Sequence, residues 1–156
     1  MESRSFSTRL EFEQEIGRCL ARANQRLDLF DPDFSLWQLG SSRFDAELRR
    51  LLIGKGHIRI LAHDYSHLKQ QCPRFLHLLR DFSHAIECRV THSNERHLTD
   101  SFCICDDLHL VRRFHCDHAR GVAAFDAAPQ ATACSKRFED LWPRANDAMQ
   151  IGTTGL

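Results

Sequence analysis

Apolar positions recur along this chain with two periods, and the switches between them mark the elements. Thr8 followed by Glu11 forms a capping box. Leu10, Phe12, Ile16, Leu20 and Ala23 then recur at helical spacing, which predicts an amphipathic helix from Thr8 to about Ala23. The short apolar run 27–30 predicts a first strand, ended by Asp31-Pro32-Asp33 because proline lacks a ladder donor. After a loop through Leu36, Trp37 and Gly40, Ser41 or Ser42 caps a second helix carrying Phe44, Leu48, Leu51 and Leu52. Gly54-Lys55-Gly56 stops that helix. Residues 58–62 predict a central strand. Pro73 splits 65–82 into a short turn and a helix with Phe75, Leu76, Leu78 and Leu79 inward. Ile86–Val90 predicts a third strand. Runs 102–105 and 109–114 predict a hairpin turning at Asp106-Asp107, followed by a strand at Gly121–Phe125 and a last helix at 129–142.

Helices alternate with strands early and strands cluster late, the order of an α/β fold with a mixed β-sheet flanked by helices. Residues 1–150 are expected to form a single domain, with 151–156 as a flexible tail. Phe34, Leu36 and Trp37 in the first long loop either offer a contact surface or close the core.

Composition narrows the function. Lys and Arg total 21, as do Asp and Glu, so no net charge recruits nucleic acid or an anionic membrane. Arg112-Arg113 with Arg120, and Arg49-Arg50 with Lys55, are short basic clusters without interleaved aromatics, read as a solvated face. Neither nucleic acid nor a membrane is therefore an expected partner. No apolar run reaches the length of a membrane helix, and the opening residues lack the apolar stretch of a secretory signal. Seven cysteines, an odd number set within apolar patterns, point to reduced thiols in a bacterial-type cytoplasm. Cys103 and Cys105 alternate on one strand and read as small buried apolar groups.

The stretch 99–142 carries a family resemblance. Asp106 fits the last position of an H-x-K-x4-D motif, Gly121–Phe125 overlies a G-S-x-N strand, and Phe138 with Trp142 gives a closing F-x-x-x-W. With LDLFDPDF and IRILAHD earlier, the chain resembles the phospholipase D-like superfamily, and in particular its small bacterial domains of unknown function. The resemblance implies a single-domain phospholipase D-like fold. It also puts Thr99 at the nucleophilic His and Ser101 at the phosphate-binding Lys, with Val122 and Ala124 at the Ser and Asn of the second motif. Taking His97 as the nucleophile leaves Thr99 at the Lys and Ile104 at the Asp. Two hydroxyls cannot replace an imidazole nucleophile and an ammonium that holds phosphoryl charge. Thr99, Ser101 and Asp106 are vestigial, and the expected role is non-catalytic binding or assembly. Such domains occur alone and attached to acetyltransferases, which implies a protein partner. Single-motif members pair as two-fold dimers, which implies a homodimer.

Ligand candidates follow from strand ends, where α/β sheets bind. Asp31, His63, Asp64 and His92 each follow a predicted strand, and His97 and His115 lie near the motif. The bland alternative is that Asp31 and Asp64 cap turns. A rival reading relocates phosphodiesterase or nuclease chemistry to His97, His115 or His118 beside Thr99 and Ser101. Another gathers His63, His67, His115, Cys116 and His118 into a zinc site. The chain lacks a paired C-x2-C and an H-E-x-x-H, so neither metal nor cofactor is expected.

Overall fold

Local chemistry fixes the first helix. Thr8 accepts the N–H of Glu11 and the Glu11 carboxylate accepts the N–H of Thr8, both at 3.1 Å, so α1 (Arg9–Arg22) starts with two free donors satisfied. Its buried stripe is Phe12, Ile16, Cys19 and Leu20. Leu10, expected on this stripe, is instead 63% exposed, because two residues of helix turn it about 200° away from Phe12.

The computed structural model describes residues 1–148, and within them all strands join one sheet. The strands are β1 (Glu2–Phe6), β2 (Arg26–Phe30), β3 (His57–Ala62), β4 (Ile86–Val90), β5 (Ser101–Cys105), β6 (His109–Arg113), β7 (Gly121–Phe125) and β8 (Asn146–Asp147). Their order is β1-β7-β6-β5-β2-β3-β4-β8. The central β2, β3 and β4 are parallel, and every other pairing is antiparallel. Helices α1, α2 (Ser42–Ile53), α3 (Ser66–Gln71) and α4 (Pro73–Asp81) pack on one face, and α5 (Ala128–Leu141) packs on the other. No helix among the described residues is long and apolar enough to cross a membrane. The expected tail at 151–156 lies outside the described residues.

Strands β1 and β8 add to what the periodicity predicts. β1 is polar and paired only to β7, so only Phe6 among its residues is buried and no alternation announces it. β8 is two residues long. Pro73 stands at the first turn of α4, as its missing N–H favours. Phe34 and Trp37 close the core, both fully buried, and Leu36 packs against them from a half-buried position.

Alternation along the strands divides the core. Leu27 and Leu29 of β2 face α1 to α4, while Asp28 and Phe30 face α5. Asp28 survives there because Arg59 on β3 pairs with both of its oxygens, at 2.8 and 3.0 Å. Burial nonetheless outweighs the guanidinium and holds the Asp28 carboxyl above its ordinary range. Arg59 lies under the rings of Phe138 and Trp142, and Arg89 lies 4.3 Å from the Trp142 ring, so the closing F-x-x-x-W clamps two strand cations. Gly121 starts β7 where a Cβ would stand 2.0 Å from the Arg112 carbonyl oxygen and 2.5 Å from the Phe6 ring.

The hairpin between β5 and β6 turns through Asp106 and Asp107, at φ 55° and 56°, the left-handed pair that a tight hairpin demands. The Asp106 carboxylate accepts the N–H groups of Asn24, Gln25 and Arg26 at 2.8 to 2.9 Å, tying the hairpin to the turn between α1 and β2. Asp106→Ala is expected to destabilise the protein by about 2–3 kcal/mol, the cost of orphaning charge-assisted bonds. Urea denaturation reads this, and a loss under about 0.5 kcal/mol would contradict the role.

Candidate functional site

Sheet direction gathers one rim. The carboxyl ends of parallel β2, β3 and β4 deliver Asp31, His63 with Asp64, and Thr91 with His92. β5 runs the other way, so Thr99, Asp100 and Ser101 reach the same end, and β6 returns with Arg113 and the loop 114–120. Asp106 lies at the opposite end of the sheet, in the structural role already given.

At the centre of the rim is a buried ion pair. Arg113 is 2% exposed and Asp31 fully buried, and an Arg113 terminal nitrogen donates to Asp31 Oδ1 at 2.7 Å. The other terminal nitrogen donates to the Cys116 carbonyl at 3.0 Å, and the guanidinium lies 5.2 Å from the Phe12 ring centre. Asp31 Oδ2 accepts the N–H of Asp33 at 3.0 Å and of Phe34 at 2.6 Å. That second bond holds Phe34 at φ 61°, a conformation costing a bulky residue about 1–3 kcal/mol. Ser101, the cross-strand partner of Arg113, is fully buried, and its hydroxyl accepts the Trp37 indole N–H at 3.0 Å. Trp37 packs edge-on against Phe12 and Phe34.

The other rim candidates are spent on structure. His63 Nε2 donates to the Leu98 carbonyl at 2.8 Å and Nδ1 meets the Thr91 hydroxyl at 2.6 Å, so both ring nitrogens are engaged. Asp64 braces the turn that leads into α3, accepting the Ser66 N–H and hydroxyl, and those bonds hold its carboxyl below the ordinary range. His92 accepts the Asn94 N–H at 3.1 Å. His97 and Thr99 are exposed. His115 accepts the Asp117 N–H at 3.1 Å, and its ring centre is 5.7 Å from that of His118. The Cys116 N–H donates to the Thr99 carbonyl at 2.7 Å, which lays this loop along Thr99. The zinc grouping does not form: His63 is bound elsewhere, and only His115, Cys116 and Asp117 cluster on that loop. A groove of about 710 Å³ lies at the other end of the sheet, lined by His57, Arg59, His84 and Glu87 among others.

Sequence reasoning missed Arg113, read as part of a solvated basic face. The signal was present: Val111 and Arg113 alternate on β6, so burial of one face carries both inward. Arg112, on the other face, turns toward Asp100, which Arg137 of α5 also grips.

The family model described as a domain of unknown function, DUF7931, matches residues 8–152. The chain belongs to that family. No curated protein matches the sequence. Among solved structures, the DUF7931 chain is similar to Nuc from Salmonella typhimurium, a phospholipase D family member, with TM-score 0.65 and 12% identity over 94% of this chain and 98% of that one. It is similar to NucT from Helicobacter pylori, with TM-score 0.67 and 8% identity over 94% and 98% of the two chains. It also matches TrmBL2, an archaeal chromatin protein whose structure shows a novel mode of DNA binding, with TM-score 0.70 and 12% identity. That match covers 95% of this chain, which spans 55% of TrmBL2. The DUF7931 domain therefore has a phospholipase D-like fold. A DNA-binding protein shares that fold, so a net charge of zero is no ground for excluding nucleic acid.

Removing one partner of the central pair should strand the other in the core. Asp31→Asn or Arg113→Met is expected to cost about 3–5 kcal/mol, and the double variant less than the two losses added. A denaturant double-mutant cycle measures this, and additive small losses would contradict the pairing.

Proposed function

We propose that this DUF7931 chain is a non-catalytic phospholipase D-like binding or assembly module, one domain over residues 1–150, acting in a bacterial cytoplasm. One observation carries the reading: where the resemblance calls for an imidazole and an ammonium facing a phosphoester, the rim is already filled. Ser101 is capped by the Trp37 indole, and the Arg113 guanidinium across from it is paired with Asp31. Thr99 stands exposed beside this centre, and among the described residues no imidazole is hydrogen-bonded to its hydroxyl to activate it.

The assembly half of the reading rests on the same end of the sheet. Phe114 follows Arg113 there and is 47% exposed, the apolar residue a second copy would cover. Asp31, His63, Asp64, His92, His97 and His115 then act as rim residues around a contact surface rather than as acids or bases. The rival reading, relocated histidine chemistry, is favoured by one fact, the approach of His115 to His118 beside Thr99.

An aryl phosphodiester substrate separates the two. Hydrolysis is expected at the rate of buffer alone, unchanged by Thr99→Ala, Ser101→Ala or His115→Ala. Turnover that any of these variants abolishes would overturn the non-catalytic reading. In sedimentation at micromolar concentration a dimer is expected, weakened by Phe114→Ser, and a monomer would remove the homodimer.

A further inference from the structure

Three thiols unused by the rim meet between α1 and β5. Cys103 and Cys105 alternate on β5 toward the α1 side, and Cys19 on the buried stripe of α1 comes down onto them. Their sulfurs stand 2.8 Å apart for Cys19 and Cys105, 3.7 Å for Cys19 and Cys103, and 3.9 Å for Cys103 and Cys105. All three residues are fully buried. A pyramidal three-thiolate centre, with bonds of about 2.3 Å and angles of about 95–100°, sets its sulfurs about 3.4–3.5 Å apart, so the two long edges of this triangle lie within about half an ångström of that spacing. The third has to widen.

The surroundings select what such a site can hold. Burial pushes the Cys103 and Cys105 thiols well above the ordinary cysteine value. Burial acts on Cys19 in the same sense, but the S–H groups of its two neighbours, with His109 and Arg22 beyond, bring it down to about 5. Soft thiolates choose soft centres. Three thiolates around a monovalent or divalent cation leave net negative charge in a dry site, which is costly. A trivalent centre leaves none.

We propose that Cys19, Cys103 and Cys105 form a three-thiol site for a trivalent thiophilic centre of the arsenic(III) class. With arsenous acid the step involves no redox change. Three As–O bonds break and three As–S bonds form; Cys103 and Cys105 each give their thiol hydrogen, and one proton from solvent matches the Cys19 thiolate, so the three hydroxides leave as three waters. Because the thiols are buried, the centre enters while α1 is lifted from β5, or during folding. Cys72, Cys88 and Cys134 join no such group among the described residues, and Cys116 lies on the rim loop.

The test refolds phosphine-reduced protein from urea with sodium arsenite and weighs it after denaturing quench. One arsenic gained with three hydrogens lost is expected, with free thiols falling from seven to four and a raised Tm. Cys103→Ala should lose the uptake and the rise in Tm, and Cys116→Ser should keep both. Should Cys103→Ala not fold, X-ray absorption on the loaded wild type counts the sulfurs around arsenic, and three are expected. Two sulfurs, uptake unchanged in Cys103→Ala, no uptake at all, or a disulfide between Cys19 and Cys105 that resists the phosphine would each overturn the site.

Discussion

A carboxylate and a guanidinium removed from water together organise the end of the sheet where the parallel strands finish. Asp31 and Arg113 come from different strands, and each also holds a loop: Asp31 the left-handed turn at Phe34, Arg113 the carbonyl of Cys116. Such a pair adds little to stability over apolar residues of the same shape, because desolvation offsets most of the attraction. What it supplies is arrangement. It fixes the loop that brings Trp37 over Ser101, and it places the loop 114–118 against Thr99. At this rim the Arg113 guanidinium is paired with Asp31 and the Ser101 hydroxyl with the Trp37 indole.

The far face of the sheet repeats the same logic for a different end. Asp28 is buried and Arg59 half-buried under α5, and the rings of Phe138 and Trp142 cover the guanidinium. The closing F-x-x-x-W is therefore a packing device in this chain, joining the last helix to the parallel strands. Asp106, which the resemblance puts at the last position of the motif, is likewise structural, receiving three backbone N–H groups far from the rim. Thr99 and Ser101, at the other end of β5, stand where the resemblance places the catalytic His and Lys.

Much of the fold was legible in the residues. The capping box at Thr8, the apolar run of β2, the proline at the start of α4 and the paired aspartates of the hairpin all act through short-range chemistry that sequence displays. β1 was not legible, since an edge strand with one buried residue leaves no periodic trace. The site was less legible than the fold. A basic pair such as Arg112-Arg113 reads as surface until the register of β6 sends its two members to opposite faces. Cys19 lies 84 residues from Cys103, so their meeting is a property of packing, not of spacing.

The most direct measurement is a crystal structure grown in concentrated phosphate or sulfate. The Asp31–Arg113 pairing predicts Arg113 bonded to Asp31, Trp37 bonded to Ser101 and no anion between Thr99 and Arg113. An anion seated on Arg113, with Asp31 turned away, would contradict it.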